Sequence, residues 1–228
     1  MFRVDLHTHT RYSYDAFTPL QCVIWTCQRR RIDCVAVTDH NDIEGALRLQ
    51  EIAPLKVIVG EEIRTAEGEI IGLFLTERIP PGLSPEETIA EIKRQGGLVY
   101  LPHPFENQHR NARFTRCRLE ELAQHIDIVE VFNARNRDLR CNGLALEFAR
   151  RYGLSIGAGS DAHSPFEFGN AYMEVNPFET KEQLLDNLAS GHIRGYQTPF
   201  WLRLVFNHLV RKGVHKVAKL SLSSLGIW

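Results

Sequence analysis

The sequence lacks most features of a secreted, membrane-spanning or nucleic-acid-binding protein. Its five cysteines are an odd number and include no Cys-x-x-Cys pair, so we expect reduced thiols in a cytoplasmic protein. No apolar run approaches the length of a membrane span, and Asp5 and His7 interrupt any signal-peptide core. The formal net charge is −1, so no overall basic field points to nucleic acid.

What the sequence has instead is an alternation of strand and helix signals. Its 228 residues, 43% of them hydrophobic, are enough for one sizeable core. Short apolar runs predict seven strands, at residues 2–6, 34–37, 56–59, 69–75, 98–101, 128–132 and 154–158. Helices are predicted at residues 20–31, 42–52, 84–96, 118–125, 138–152 and 180–190. These α/β units predict a largely parallel sheet, and their number favours a closed or nearly closed barrel over an open sheet.

Polar side chains stand at the carboxyl ends of six of these seven strands. In chain order they are His7 and His9, Asp39 and His40, Glu62, His103, Asn133, and Asp161 with His163. The carboxyl ends of barrel strands share one face, where active sites are built. We therefore expect these residues to converge on one pocket, joined by Asp15 from the loop after the first strand.

The residue types in this set predict a metal site. Alternate side chains of a strand face the same side, so His7 and His9 point together. Buried ionisable groups are costly unless they pair or bind metal, and His with carboxylates suits Zn²⁺, Mn²⁺ or Fe²⁺. Thiolate ligands are not expected, since no cysteine stands at a strand's carboxyl end. Eight candidate ligands exceed one tetrahedral set, which implies two or three ions, with Glu62 as the natural bridge.

The order and spacing of the polar segments are specific. They read His7-Thr8-His9, Asp15, Thr38-Asp39-His40, Gly60-x-Glu62, His103-Pro104 and Ser160-Asp161-Ala162-His163. This set resembles the PHP (polymerase and histidinol phosphatase) superfamily, from residue 2 to about residue 195. The resemblance implies a distorted, TIM-like (β/α)7 barrel. It also implies a metal centre of two or three ions, at the carboxyl ends of the strands, that hydrolyses phosphate esters.

Carried over residue by residue, the resemblance also implies a ligand set for each metal. The first metal would be held by His7, His9, Glu62 and Asp161, the second by Glu62 and His103, and the third by Asp15, His40 and His163. Two departures concern the second metal. Some relatives have a histidine in the strand after Gly-x-Glu, where this chain has Ile70-Ile71-Gly72, and others have His or Cys at the position of Asn133.

The expected reaction is attack on phosphorus by a hydroxide that bridges the first and second metals. Glu62, Asp161 and His163 would be the catalytic residues, and His163 would protonate the leaving group if the third metal were absent. Asp39 either orients a ligand or is a helix-start acid. Arg135 and Arg110 are the candidates for binding the substrate phosphate, with solvated loop arginines as the alternative.

The C-terminal residues differ in composition from the barrel. After Asp186 the sequence has no acid, while six basic residues accumulate between Arg194 and Lys219. We predict a barrel domain at residues 1–198 and a basic helical tail at residues 199–228. The tail either docks on the barrel or contacts nucleic acid or an anionic membrane surface.

Three functions remain open from the sequence. The leading hypothesis is a metal-dependent hydrolase of a small phosphorylated substrate: a phosphomonoester, a nucleotide or a short oligonucleotide. A second is a nuclease that grips longer nucleic acid with the basic tail, which steep salt dependence would reveal. A third is a non-catalytic metal-binding module. The two enzyme hypotheses are favoured because the ligand sets for the first and third metals are complete.

Overall fold

The computed structural model describes residues 1–106 and 114–201, and within them one nine-stranded sheet frames the molecule. The strands are β1 (Phe2–Thr8), β2 (Cys34–Val37), β3 (Lys56–Arg64), β4 (Glu69–Leu73), β5 (Leu98–Leu101), β6 (Ile128–Asn133), β7 (Ser155–Gly159), β8 (Ala171–Val175) and β9 (His192–Gly195). The helices are α1 (Leu20–Arg30), α2 (Glu44–Ile52), α3 (Pro85–Arg94), α4 (Arg116–Leu122), α5 (Leu139–Tyr152) and α6 (Lys181–Leu188).

The sheet curls into a nearly closed barrel. Strands β1, β2 and β3 are parallel neighbours, and so are β5, β6 and β7. Strand β4 joins the two groups and runs antiparallel to both β3 and β5. The N–H of Asp161 donates to the carbonyl of His7 at 2.8 Å, and the N–H of His9 donates to Ala162 at 2.9 Å. These two bonds join the chain after β7 to the end of β1 and close the barrel at its carboxyl edge.

The expectation of a (β/α)7 barrel holds only in part, because the sheet is mixed. The chain reverses at residues 65–68 and pairs β3 with β4 directly, with no helix between them. Strands β8 and β9, which extend the sheet beside β1, lie outside the seven strands that the sequence indicates. Residues 171–175 do alternate between buried and half-buried positions, but five such residues give a weak signal.

The helix starts follow local capping chemistry. At α3 the N–H of Glu87 donates to Ser84 Oγ, and the N–H of Ser84 donates back to the Glu87 carboxylate, as the sequence predicts. At α2 the first helical residue is Glu44, two residues later than predicted. Asp42 there accepts the N–H of Glu44 at 2.7 Å.

Two apolar layers pack on opposite faces of the sheet. The outer layer lies under the helices, and the inner layer fills the barrel together with residues of α6. We call the inner layer the apolar floor; its strand residues include Val4, Leu6, Cys34, Ala36, Ile58, Ile71, Leu73, Leu98, Tyr100, Ile128 and Ala158. Packing here is tight, since a Cβ added at Gly157 would lie 2.7 Å from the Tyr100 ring.

Two of the strands that reach the carboxyl edge are bulged just before it. Between Asp5 and Thr8, β1 has one residue more than β2, and β6 has one residue more than β7 just after Glu130. A bulge shifts the alternation of side chains along a strand. As a result Leu6 packs in the apolar floor, while the adjacent His7 also turns inward and contacts Glu130.

Two absences hold for the part of the chain that the structure describes. No helix in it has the length and hydropathy needed to cross a bilayer. No disulfide joins any two of the five cysteines, all of which lie in the described ranges.

Candidate metal centre

The polar side chains at the carboxyl edge of the barrel converge on Glu62. Strand β3 continues past this residue, so its carboxylate projects from within the strand, not beyond its end as the sequence indicated, and it is 1% exposed. Its Oε2 lies 3.5 Å from His7 Nε2, 3.3 Å from His9 Nε2 and 3.1 Å from His40 Nδ1. Its Oε1 lies 3.2 Å from His103 Nε2. One carboxylate therefore contacts four imidazoles from three parts of the chain.

Asp161 is the second carboxylate that faces the histidine pair of β1. Its Oδ1 lies 3.5 Å from His9 Nε2 and 3.9 Å from His7 Nε2. One ligand atom from each of His7, His9 and Asp161 lies within 4.8 Å of the other two. The four residues expected to hold the first metal therefore lie together. The carboxylates of Glu62 and Asp161 both face the imidazoles of His7 and His9.

Hydrogen bonds at the outer nitrogens fix the tautomers of His7 and His9. His7 Nδ1 lies 3.1 Å from the Glu130 carboxylate, so it donates. Ser13 Oγ gives its own proton to Asp39 at 2.7 Å, so it accepts from His9 Nδ1 at 3.0 Å. When both rings are neutral, their Nε2 lone pairs meet 3.0 Å apart with no proton between them. Two lone pairs beside two carboxylates fit a divalent cation.

The electrostatics of the cluster also call for positive charge. Burial disfavours a charged Glu62, but the His40 and His7 imidazoles outweigh it and hold the pKa of Glu62 well below its usual range. Burial also disfavours a charged His7, yet the surrounding carboxylates raise the pKa of His7 well above its usual value. Burial lowers the pKa of His9 to about 3. The acids therefore stay ionised, and a proton or a cation must balance them.

Glu130 is the most important residue of the site that sequence reasoning missed. Its Oε1 accepts from His7 Nδ1 and from the Tyr100 hydroxyl, both at 3.1 Å. Its Oε2 accepts from the His103 N–H at 2.8 Å and from Asn133 Nδ2 at 2.9 Å. Metal-binding imidazoles commonly donate their other N–H to such a carboxylate. The available signal was an acid in the middle of the apolar run 128–132.

His103 and Asp161 occupy strained backbone at the edge of the barrel. Their φ angles are 25° and 51°, a region that residues other than glycine rarely adopt. The His103 N–H bond to Glu130 helps to hold that conformation. Ligand atoms of His7, Glu62 and His103 lie within 4.8 Å of one another, which assembles the set expected for the second metal.

The third expected set comes together beside the first. His163 Nε2 lies 3.1 Å from Asp15 Oδ2, and His40 Nε2 lies 3.5 Å from Asp15 Oδ1. His163 Nδ1 donates to the Asp161 carbonyl at 2.9 Å, so its Nε2 carries the lone pair when the ring is neutral. That lone pair faces a carboxylate, and only a cation or an added proton makes the contact favourable.

Asp39 orients other groups, and the helix-start alternative is wrong. Helix α2 begins at Glu44, and the buried Asp39 carboxylate accepts instead from the N–H and the hydroxyl of Thr10, at 2.6 and 2.7 Å. It also accepts from Ser13, which in turn holds His9 Nδ1. Asp39 therefore fixes the His9 ring through one intervening hydroxyl.

Two family models match this chain over most of its length. The PHP domain model matches residues 5–138, and the PHP-associated model matches residues 140–193. The chain belongs to the PHP domain family. The resemblance inferred from the sequence is therefore confirmed.

Relatives of this PHP domain chain include proteins with and without a described activity. An uncharacterized protein of Methanocaldococcus jannaschii is 40% identical over 176 residues, which cover 76% of this chain and 70% of that protein. A probable phosphatase of Photobacterium profundum is 25% identical over 233 residues, which cover 86% of this chain and 92% of that protein.

A solved structure has the same fold as this PHP domain. It is a two-domain protein from Bacteroides vulgatus that contains a predicted PHP-like metal-dependent phosphoesterase. The TM-score is 0.69 at 17% identity, with 86% of this chain and 65% of that chain covered. This chain therefore spans just under two thirds of the length of its two-domain neighbour.

Asn133, a candidate ligand or supporting residue, is fully buried behind the cluster of the PHP domain. Its Nδ2 donates to Glu130 at 2.9 Å and to Asp161 Oδ2 at 3.2 Å. Its Oδ1 accepts the N–H of Arg135 at 2.7 Å. Through its amide nitrogen, Asn133 therefore orients two carboxylates of the cluster.

Arg135, the first candidate for binding phosphate, lies against Asp161. Its Nη1 donates to the Asp161 carbonyl at 3.3 Å and lies 4.0 Å from Oδ1, and the side chain is 9% exposed. The segment after β9 holds this loop, because the N–H of Thr198 donates to Ala134 at 2.7 Å. The second candidate, Arg110, lies outside the described residues, as does nearly all of the basic tail predicted at 199–228.

Glu69 is a further acid of the site that sequence reasoning missed. It is the first residue of β4, and its ligand atom lies within 4.8 Å of atoms from His40 and Glu62. Burial and then the Glu62 charge raise the pKa of Glu69 to about 7. The stretch 70–72 contains no histidine, and the available signal was the acid just before this apolar stretch.

Proposed function

We propose that this PHP domain hydrolyses phosphate esters in a metal-dependent reaction, on a small phosphomonoester, a nucleotide or a short oligonucleotide. The observation that carries the proposal is the pair of Nε2 atoms of His7 and His9, 3.0 Å apart, facing the Glu62 and Asp161 carboxylates. Membership of the PHP family and the probable phosphatase among its relatives support the same reaction class.

The residues that would hold the ions form three sets that share Glu62 or lie beside it. They are His7, His9, Glu62 and Asp161; Glu62 and His103; and Asp15, His40 and His163. Nitrogen and carboxylate ligands suit Mn²⁺, Zn²⁺ or Fe²⁺, and soft thiolates take no part. When bound, such ions neutralise phosphoryl oxygens and generate a nucleophile from water at neutral pH.

The chain's own residues have separate tasks in this proposal. Glu130 and Ser13 hold the two imidazoles of β1 in the tautomer that leaves Nε2 unprotonated. Arg135, held on the carbonyl of Asp161, supplies a planar cation for the substrate phosphate. His163, held at Nδ1, takes up a proton at Nε2 when its own set binds no ion and gives that proton to the leaving oxygen.

The test joins metal analysis with a substrate screen. Protein purified without chelators is analysed for bound metal, then assayed on phosphomonoesters and phosphodiesters with Mn²⁺, Zn²⁺ or Fe²⁺ added. We expect bound metal and turnover of at least one ester class, lost on chelation and restored by one of the ions. A folded protein that stays inactive with every ion would overturn the proposal in favour of a metal-binding module.

A further inference from the structure

An exposed tyrosine stands at the edge of the metal centre. Tyr14 is 74% exposed, yet its ring lies 4.9 Å from the His40 ring at an interplanar angle of 23°, which is a stacked arrangement. Single exposed aromatic residues are common on protein surfaces and need no explanation. What distinguishes Tyr14 is that it is stacked on an imidazole of the cluster itself.

The backbone around Tyr14 is fixed on both sides by contacts within the cluster. The preceding Ser13 bonds both His9 and Asp39. The following Asp15 contacts His163 at 3.1 Å. The backbone of Tyr14 is therefore held by the same hydrogen bonds that order the candidate ligands, and its ring is placed against His40.

The aromatic rings of the centre form a continuous series that ends at Tyr14. Ring centroids are 4.3 Å apart between His163 and His9, 4.5 Å between His9 and His40, and 4.9 Å between His40 and Tyr14. The histidine side chains are at most 12% exposed, so Tyr14 is the ring of this series that solvent reaches. A ligand extending from the cluster past His40 therefore meets the Tyr14 ring.

The charges around this ring suit an uncharged planar group, because acids outnumber bases beside it. Burial and then the charges of Asp15, Glu69 and Glu62 raise the pKa of the Tyr14 hydroxyl to about 12, and Arg64 opposes them. Arg64 follows Glu62 by two residues on the same face of β3, so it also faces this side of the centre. A base stacked on Tyr14 would lie roughly two stacking distances from His40, a separation that a ribose can bridge to its phosphate.

We propose that Tyr14 is a specificity-determining residue that stacks the base of a nucleoside phosphate, while the phosphate lies at the metal cluster. The inference rests on the proposed function, and it names the substrate class as nucleotides instead of phosphate esters in general. The base contributes through its ring face, so recognition tolerates different bases.

The experiment compares two ligands that differ only in the base. Binding of adenosine 5′-monophosphate and of ribose 5-phosphate to the Mn²⁺-loaded protein is measured by calorimetry for wild type, Tyr14→Ala and Tyr14→Phe. We expect the nucleotide to bind about tenfold or more tightly than the sugar phosphate in wild type, from the usual worth of a base–aromatic stack. Tyr14→Ala abolishes that ratio, and Tyr14→Phe keeps it. Trp25→Ala, which removes an exposed ring of α1, is the control and leaves the ratio unchanged.

Two outcomes would overturn the assignment: equal affinities for the two ligands in wild type, or an unchanged ratio in Tyr14→Ala. The readout is binding, so it separates this inference from the proposed function. A wild type that favours the nucleotide through Tyr14 but hydrolyses no ester would refute the hydrolase and keep the stacking site.

Discussion

The inside of the barrel has two halves built from the same strands. The apolar floor is built of buried aliphatic, aromatic and sulfur-containing side chains, and it packs without space for an added Cβ at Gly157. The metal centre, one to four residues further along β1, β3 and β6, is also largely buried but consists of imidazoles, carboxylates and amides. The floor is stable by burial alone, whereas the centre balances its charges only with a proton or a cation.

One residue connects the two halves. Tyr100 packs its ring in the apolar floor and donates its hydroxyl to Glu130, which holds His7. The difference between the halves predicts that changes in the centre affect metal and chemistry, while changes in the floor affect the free energy of unfolding. The following experiments test that separation, in order of decreasing effect.

The largest effect is expected from Asp161. Asp161→Ala should abolish turnover and metal binding at the first set while leaving the circular dichroism spectrum unchanged. Because φ at this position is 51°, Asp161→Asn is the matched variant: Asn tolerates this backbone and removes only the charge. Asp42→Ala, which removes an acid bonded to the start of α2, is the control. Turnover at the wild-type rate in either Asp161 variant would refute the assignment.

The next largest effect is expected in the apolar floor. Ile128 is fully buried, and Ile128→Ala should lower the free energy of unfolding by about 2–5 kcal/mol, measured by urea denaturation. Ile128→Val, with a smaller cavity, should cost about 0.5–1.5 kcal/mol. The folded fraction of both variants should bind the wild-type amount of metal. A lower metal content in folded Ile128→Ala would show that floor and centre are not separable.

A smaller effect is expected at Glu130, which accepts four hydrogen bonds. Glu130→Gln replaces one oxygen with an NH2 group that faces two donors, so His7 or His103 loses its partner. We expect Mn²⁺ affinity to fall about 10- to 100-fold, as measured by titration calorimetry. Tyr100→Phe removes one donor and keeps the carboxylate, so its effect on Mn²⁺ affinity should be several times smaller. Equal losses in both variants would contradict a specific role for the carboxylate.

The smallest effect is expected from chemical labelling of two cysteines, which perturbs neither the floor nor the centre. Cys34 lies in the apolar floor, where burial raises the pKa of its thiol, whereas Cys117 on α4 is exposed. A thiol reagent at pH 8 should label Cys117 in the native protein and Cys34 only after urea is added, as read by mass spectrometry. The Cys117→Ser variant identifies the fast site. Native labelling of Cys34 at the rate of Cys117 would mean that the floor opens readily.

Much of the fold could be predicted because strand and helix signals are local. The β2, β5 and α3 signals match the structure closely, since a short buried run or a capping box depends on neighbouring residues only. Antiparallel β4 and the added β8 and β9 were not predictable in the same way. Strand direction and edge pairing depend on contacts between residues far apart in the chain, which no local pattern specifies.

For the metal centre, the sequence by itself determined the ligand types and their order along the chain, because imidazoles and carboxylates at successive strand ends admit few chemistries. The sequence did not determine which other residues position these ligand side chains. Asn133 faces the same side as Glu130 only because β6 bulges between them, and His7 turns inward beside Leu6 only because β1 does. A one-residue bulge reverses the direction of every later side chain, and whether it forms depends on the neighbouring strands, so only the tertiary structure decides it.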